Sequence, residues 1–414
     1  MHEPLPSNAL DLPSIRAAFP GLNSETIYLD NAGGTQVLKR VADRISEYML
    51  TTSVQLGASY RQSRLADEKV LEARRSVAEL VNAYHDDEVV FGGSSTQLLF
   101  MLVQSLLPGI RPGDEIILTN TDHEANIGAW TRMAAVGAVV KFWNINTETL
   151  KLELDDLDKL LGPRVKWLSM TSASNILGQV NPVGEVIRRV HAGGGKVCLD
   201  CVAYAPHRLI DVRADRADVL VFSFYKLFGP HNAMMWARRE LLHSLANLNH
   251  NFIGIDESPY HIQPGGINYE LSYGCIGITD YFVEIGNALG GTGTPRERMQ
   301  GAFRAFELHE DVLAERLLGW LRGRPGIRII GDETIGPDGR IPIISFVVDG
   351  KDSETIVRHM DRFDIGIRFG DFYAPRLIEA LGIAKQSGVV RVSVAHYNVV
   401  EEMERLIENL GEII

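Results

Sequence analysis

Short apolar runs alternate with longer amphipathic stretches through the first 230 residues of the chain. The short runs are rich in Val, Ile and Leu, as buried strands are, and the longer stretches carry apolar residues at helical spacing. The pattern predicts helices at 12–19, 37–50, 64–83, 97–107, from 124 onward, at 154–161 and at 183–192. It predicts strands at 26–30, 88–91, 115–118, 138–143, 165–170, 196–200 and 218–222. Strands alternating with helices predict right-handed crossovers and a mostly parallel sheet.

The last third of the chain has a different pattern. The connector Gly290-Gly291-Thr292-Gly293-Thr294-Pro295 leads into a long helical stretch at 296–322. Strands follow near 327–330, 342–348, 366–369 and 389–395, which predicts a smaller α+β domain. We therefore expect an α/β fold in three parts: an N-terminal segment, 1–25, packing on the small domain; a large domain, 26–294; and a small C-terminal domain, 295–414.

Composition narrows the functional classes. The chain has 414 residues, 45% hydrophobic and 23% charged, which is ordinary for a globular protein of two domains. Its net charge of -12 argues against nucleic acid or an anionic membrane as partner. No basic start followed by an apolar run is present, and no stretch approaches the roughly 20 apolar residues of a membrane span. We expect a cytoplasmic protein without a metal site.

The three cysteines, Cys198, Cys201 and Cys275, are too few for a disulfide framework. Cys198 and Cys201 have the C-x-x-C spacing of redox sites. That motif works at the start of a helix, whereas Cys198 lies in a predicted strand and Cys201 follows it. We interpret both as packing residues.

A junction that could bind phosphate follows the predicted strand at 88–91. Gly92-Gly93-Ser94-Ser95-Thr96 leads directly into a helix, so free backbone N–H groups and the helix dipole would face an anion. An ordinary helix cap by Ser94 or Ser95 explains the same residues without a ligand. The junction alone does not decide between the two.

Polar side chains recur at the ends of other predicted strands, where ligands of parallel sheets collect. They are His123, Asn175, Asp200, Ser223 and Lys226. Each alone has an ordinary explanation, such as a turn residue or a surface lysine. Together, a lysine and a carboxylate at neighbouring strand ends suit pyridoxal phosphate. That cofactor needs an amine on its aldehyde carbon and a carboxylate against its pyridine nitrogen.

These residues sit in motifs that resemble the class V aminotransferases of fold type I, and specifically the cysteine desulfurase group. The similarity runs from Tyr28-Leu29-Asp30-Asn31-Ala32 to Arg391-Val392-Ser393-Val394-Ala395-His396-Tyr397-Asn398. Its most specific piece is Ser223-x-x-Lys226-x-x-Gly229-Pro230, combined with Asp200 and Asn175-Ile176-Leu177-Gly178. The resemblance implies a large domain with a mostly parallel sheet, a smaller C-terminal domain and pyridoxal phosphate as cofactor.

The resemblance also implies roles for individual residues. Lys226 would hold the cofactor as a Schiff base and move the proton, Asp200 would keep the pyridine nitrogen protonated, and His123 would stack on the ring. The phosphate would be bound by Ser95 and Ser223, with Ser94 nearby, and Tyr225 would also contact the cofactor. Asn175 would lie near the cofactor's ring hydroxyl and the substrate, and further substrate contacts would come from Gly33 and Arg391, whose guanidinium suits a carboxylate. The family is usually dimeric, and the loop Gln263-Pro264-Gly265-Gly266 would reach the partner's phosphate site, with Gly266 as the contact.

Four departures from the family pattern change the expected reaction. Tyr373 stands where desulfurases carry their nucleophilic cysteine, and a phenol cannot accept sulfur as a persulfide. Tyr225 replaces the usual histidine before the lysine, Ala203 replaces a glutamine or histidine, and Gly266 replaces a threonine. We expect an enzyme that acts on a small α-amino acid, with β-elimination of the C–S lyase type favoured. Transamination, epimerisation, a true desulfurase and a non-catalytic binding protein remain alternatives.

Overall fold

The fold is built on a large sheet and a smaller one, described here from a computed structural model that covers residues 10–336 and 339–414. In chain order the strands are β1 (Ile27–Tyr28), β2 (Val89–Gly92), β3 (Glu115–Thr119), β4 (Val139–Trp143), β5 (Val165–Thr171), β6 (Lys196–Asp200), β7 (Val219–Ser223), β8 (Ala233–Ala237), β9 (Ile327–Ile330), β10 (Ile343–Val348), β11 (Ile365–Gly366), β12 (Arg368–Gly370) and β13 (Val389–Ser393).

Helices connect the strands and cover both sheets. They are α1 (Leu12–Ala17), α2 (Lys39–Thr51), α3 (Arg61–Leu80), α4 (Ser95–Leu106), α5 (Glu124–Trp130), α6 (Leu154–Leu160), α7 (Val183–Ala192), α8 (Val212–Asp215), α9 (Arg239–Ser244), α10 (Tyr269–Gly274), α11 (Ile276–Ala288), α12 (Pro295–Arg322), α13 (Ser353–Asp361), α14 (Pro375–Ala380) and α15 (Val400–Gly411). Among the described residues, no helix is both long and apolar enough to span a membrane.

The large sheet has the strand order β2-β8-β7-β6-β5-β3-β4 and is mostly parallel, as expected. Alternate residues of its strands face opposite apolar cores: Leu220 and Phe222 of β7 point to one side, Val219 and Val221 to the other. Because β3 to β7 run in parallel, their carboxyl ends meet at one edge. This edge brings the predicted site residues together.

One strand of the large sheet was missed by the sequence prediction. β8 lies between β2 and β7 and is antiparallel to both. Its sequence, Ala233-Met234-Met235-Trp236-Ala237, lacks β-branched residues, so its composition does not distinguish a strand from a piece of buried helix.

The first predicted strand, 26–30, forms outside the large sheet. Ile27 and Tyr28 pair in parallel with Ile365 and Gly366 of β11, and Asp30 forms a single parallel bridge with Ser393 of β13. Ile27 and Leu29 then pack in the apolar core of the C-terminal part. The β12-β13-β10-β9 sheet of that part is antiparallel. The strand predicted at 366–369 is split between β11 and β12.

The N-terminal segment contacts both parts of the molecule. Arg16 pairs with Glu402 of α15 at 2.9 Å, while the Phe19 ring packs edge-on against Phe228, which follows the lysine turn of the large part. Residues 1–9, to which the expectation of no signal peptide applies, lie outside the described residues. The division at residues 25 and 294 stays a prediction.

Candidate active site

A cavity lies at the carboxyl edge of the large sheet. Polar and small side chains from several strand ends and helix starts line it: Ser94, Ser95, Thr96, His123, Ala125, Thr171, Asn175, Asp200, Val202, Ala203, Ser223, Tyr225 and Lys226. Most of the predicted site residues are in this set. Gly33, Gly266 and Arg391 are not.

The phosphate candidates lie where α4 begins. Ser94 caps the helix by accepting a hydrogen bond from the Gln97 N–H at 3.1 Å. Ser95 Oγ lies 2.8 Å from Ser223 Oγ at the end of β7, so two hydroxyls meet beside the first turn of the helix. Free N–H groups and the positive end of the helix dipole make this corner suitable for an anion.

Lys226 ends a short 3-10 turn, Phe224–Lys226, directly after β7. Its side chain is buried, and among the described residues its Nζ has neither a hydrogen bond nor an ion pair. Burial, and then the positive charge of Arg391, lowers the lysine pKa to about 8. A buried amine that loses its proton this easily can act as a nucleophile or a base.

Asp200 ends β6, the strand beside β7. Its Oδ1 accepts a hydrogen bond from the Val202 N–H at 2.9 Å, and its Oδ2 has no partner among the described residues. Burial raises the pKa of this carboxyl. A cationic N–H donor in the cavity would satisfy the free oxygen and keep the group ionised.

His123 caps α5, with Nδ1 accepting the Ala125 N–H at 3.0 Å. This bond fixes the neutral tautomer that carries its proton on Nε2. Burial, then the charges of Lys226 and Arg391, lowers the histidine pKa to about 4. The cavity therefore presents a neutral, flat ring on which another aromatic ring can stack.

The buried Asp122 next to His123 was not singled out from the sequence. It accepts hydrogen bonds from Thr119 Oγ1 and from Asn126 Nδ2, and burial raises its pKa to about 7. Ser169 Oγ donates in turn to Asn126 Oδ1 at 2.7 Å. This network fixes the start of α5. No local sequence pattern predicts it.

Arg391 is held by the protein itself. It is 2% exposed, its Nη2 lies 2.7 Å from Asp30 Oδ1, and its guanidinium lies 3.7 Å from the centre of the Phe372 ring. Its Nε has no partner within the described residues. Gly33 adjoins this pair, because a Cβ added there would lie 2.6 Å from Asp30 Oδ2. Their roles toward a substrate stay predictions.

Asn175 links the cavity to the loop that carries Tyr373. Its Nδ2 donates to the Phe372 carbonyl at 2.9 Å, and its own carbonyl accepts from Arg391 Nη1 at 3.1 Å. Phe372 and Tyr373 both have left-handed φ angles, +50° and +59°. Each such residue costs about 1–3 kcal/mol, so the surrounding contacts must hold the loop in place.

The residues at the other departures are placed as follows. The ring of Tyr225 stacks on His231 with centroids 5.0 Å apart, and Ala203 leaves the cavity wall without a polar group at that point. Gly266 lies on an exposed loop with φ +94° and does not line the cavity of its own chain. Its predicted contact with a partner's phosphate site remains a prediction.

All three cysteines are free and buried. Burial raises the pKa of each thiol, so none is readily a thiolate. None of them lines the cavity.

The residues present fit pyridoxal phosphate. The cavity combines a buried amine without a partner, a carboxylate with a free oxygen and a hydroxyl pair at a helix start. These match the aldehyde, the pyridine nitrogen and the phosphate of that cofactor.

Comparison with known sequences agrees with this assignment. The family model described as Aminotransferase class-V matches residues 27–275 and 296–406. An aminotransferase-like protein of Gibberella zeae is 36% identical over 99% of this chain and 100% of its own length. A cysteine desulfurase-like protein of Aspergillus flavus is 31% identical over 98% of this chain and 91% of its own.

Among solved structures, the apo cysteine desulfurase of Thermococcus onnurineus has the same fold. The two structures superpose with a TM-score of 0.86 at 24% identity, over 97% of this chain and 98% of the other.

Proposed function

The chain belongs to the class V aminotransferase family, whose members depend on pyridoxal phosphate, and on that premise we propose that it eliminates the β-substituent of a small α-amino acid. The favoured reaction is of the C–S lyase type. The family assignment covers the cofactor and the fold. The reaction is our proposal.

One observation carries the choice of reaction. A tyrosine occupies the loop position of the persulfide cysteine, and the three cysteines of the chain are buried away from the cavity. Persulfide transfer requires a thiolate that can reach the substrate's sulfur. Chemistry that needs only removal of the α-proton and loss of a β-substituent requires no thiol.

The side chains of the site can support each step of the elimination. Bound pyridoxal phosphate would supply the electron sink that weakens the bonds at the substrate's Cα. Lys226 Nζ, with its lowered pKa, accepts the proton from Cα. Asp200 supplies the negative charge that holds a cationic N–H, and the neutral His123 ring covers one face of the cavity. Arg391 orients the substrate carboxylate, which must share or displace Asp30.

The test uses a variant in which all three cysteines are replaced by alanine. The purified holoenzyme is given cysteine, cystine or S-alkylcysteines, and pyruvate, alanine and sulfide are measured. Pyruvate that persists in the triple variant supports elimination. Alanine with protein-bound sulfur, lost on replacing one cysteine, would instead indicate a desulfurase, and amino-group transfer to a keto acid would indicate an aminotransferase.

We also propose a homodimer in which the loop 263–266 of each subunit completes the site of the other. Gln263 Nε2 anchors the loop by donating to the Phe91 carbonyl at 2.8 Å, and Pro264, Gly265 and Gly266 are exposed. Sedimentation would measure the assembly. A Gly266→Asp variant should weaken cofactor binding more than Gly266→Ala does, because both strain the backbone at φ +94° and only Asp adds a negative charge.

A further inference from the structure

The loop that carries Tyr373 is attached to the large part of the molecule at several independent points. The Tyr373 carbonyl accepts the Glu124 N–H at 2.7 Å, and the Glu124 carboxylate pairs with Arg376 at 2.7 Å. The Phe372 carbonyl is held by Asn175. The strained φ angles of the loop are thus maintained by contacts at the mouth of the cavity.

These contacts position the phenol ring beside His123, which lines the cavity. The Tyr373 ring centroid lies 5.2 Å from that of His123, with the planes inclined by 33°. Tyr373 also lies close enough to Tyr225 to raise the pKa of that phenol, after burial and the charge of Asp200. The two tyrosines that depart from the family pattern are therefore close enough to interact electrostatically.

The two phenols differ in their access to water. Tyr225 lines the cavity and is partly buried, whereas Tyr373 is 66% exposed. A proton donor must be re-protonated after each turnover, which favours the exposed phenol. The other candidates are unsuitable, because Lys226 accepts the α-proton and neutral His123 could lose its Nε2 proton only by becoming an imidazolate.

We propose that Tyr373 is a catalytic residue that protonates the departing β-substituent, a role that rests on the elimination proposed above. A phenol would thus replace the family's thiol and turn a sulfur acceptor into a proton donor. The substrates it favours are amino acids whose β-substituent leaves as a basic anion, such as an alkyl thiolate or an alkoxide.

The step balances without any oxidant or reductant. The Cα–H electron pair forms the Cα–Cβ double bond, and the Cβ–X pair leaves with X. The Tyr373 O–H bond breaks and the H–X bond forms. The phenolate regains a proton from water or from the Lys226 ammonium, which carries the former α-proton. The dehydroamino acid is then hydrolysed to pyruvate and ammonia.

The leaving group supplies the decisive experiment. S-Methylcysteine loses a basic thiolate that needs a proton, whereas β-chloroalanine loses chloride, which needs none. The holoenzymes of wild type and Tyr373→Phe are assayed on both for pyruvate release. We expect kcat/KM to fall about 100-fold on S-methylcysteine, the scale of one general acid, and less than about threefold on β-chloroalanine.

Equal losses on the two substrates, or no loss on either, would overturn the assignment of Tyr373. Absence of pyruvate from both substrates with the wild-type enzyme would refute the elimination itself. The matched control is Tyr84→Phe, an exposed tyrosine stacked by Arg213 outside the cavity, which should behave as wild type on both.

A measurement on the apo protein separates chemistry from loop structure. Hydrogen exchange of the Glu124 amide reports the bond to the Tyr373 carbonyl. Tyr373→Phe should retain the wild-type protection, because it keeps the ring and the backbone. Faster exchange in Tyr373→Phe, together with equal losses on the two substrates, would mean that the residue only holds the loop.

Discussion

The sheet edge around Lys226 and the C-terminal side around Arg391 meet at Asn175 and His123. They differ in whether their polar groups already have partners. On the sheet edge, Lys226 Nζ and Asp200 Oδ2 have no partners among the described residues. On the other side, Arg391 is already paired with Asp30. The sheet edge is therefore open to a ligand, whereas the C-terminal side, apart from Arg391 Nε, is closed on itself.

The difference separates cofactor binding from substrate binding. Buried polar groups without partners are expensive, so the sheet edge gains by taking up a cofactor that satisfies them. On the C-terminal side, a substrate carboxylate replaces an interaction that already exists. Binding therefore gains only the free-energy difference between the Arg391–substrate contact and the Arg391–Asp30 pair. This comparison predicts that loss of Lys226 on the sheet edge abolishes function, while changes around Arg391 alter substrate binding.

The largest effect should come from Lys226→Ala. We expect turnover to fall roughly 10³-fold or more, because the proton acceptor at Cα is removed. The cofactor should be released on dialysis, since only its noncovalent contacts would remain. Activity assays and retention of absorbance through dialysis measure both.

The control for that variant is Lys385→Ala, an exposed lysine, which should match wild type. Full activity in Lys226→Ala would contradict the central assignment. Loss of activity with tightly retained, covalently attached cofactor would place the attachment at a different lysine.

Much of the sheet edge could be predicted from the sequence, because short apolar runs that end in polar residues indicate buried strands, and parallel strands end together. The C-terminal side could not be. Asp30 and Arg391 pair across 361 positions of chain, a contact that no local pattern reveals. Phe372 and Tyr373 adopt left-handed φ angles, which their side chains disfavour. Their conformational propensities therefore predict a loop of different shape. β8 was missed for want of β-branched residues.

Arg391→Lys tests the closed side. Lysine keeps the positive charge but loses the two-pronged geometry of the guanidinium. We therefore expect kcat/KM for α-carboxylate substrates to fall about 10–100-fold, the scale of a charge-assisted bond. Amines without the carboxylate should react as they do with wild type. Steady-state kcat/KM on an amino acid and on its decarboxylated amine measures the difference.

Asp30→Asn tests the same ion pair by changing its acidic member. Removing the competing carboxylate should lower KM for amino acids if Arg391 binds the substrate. A purely structural ion pair predicts the reverse: equal losses on acids and amines, with lower thermal stability in both variants.

Ser223→Ala should have a smaller effect, confined to the sheet edge. One hydroxyl of the pair with Ser95 is removed, and we expect the dissociation constant for pyridoxal phosphate to rise about tenfold. Fluorescence titration of the apo protein measures it. Ser172→Ala is the matched control, a buried serine outside the cavity lining, and should bind as wild type does. Unchanged affinity in Ser223→Ala would move the phosphate elsewhere.

The smallest effect concerns His123, where the two regions meet. Its pKa is lowered to about 4 by burial, against about 6.5 when unfolded. Between these values the unfolded chain binds more protons, so the stability that depends on the neutral ring is present above pH 6.5 and is lost as the pH falls toward 4. His123→Asn keeps a helix-capping side chain and lacks this titration. The melting temperature of wild type relative to His123→Asn should therefore fall by about 1–3 °C between pH 7 and pH 5.

His243→Asn, at an exposed histidine, should show no such change. A difference for His123→Asn that stays constant with pH would mean that water reaches the ring, and the stacking face would then be an open surface.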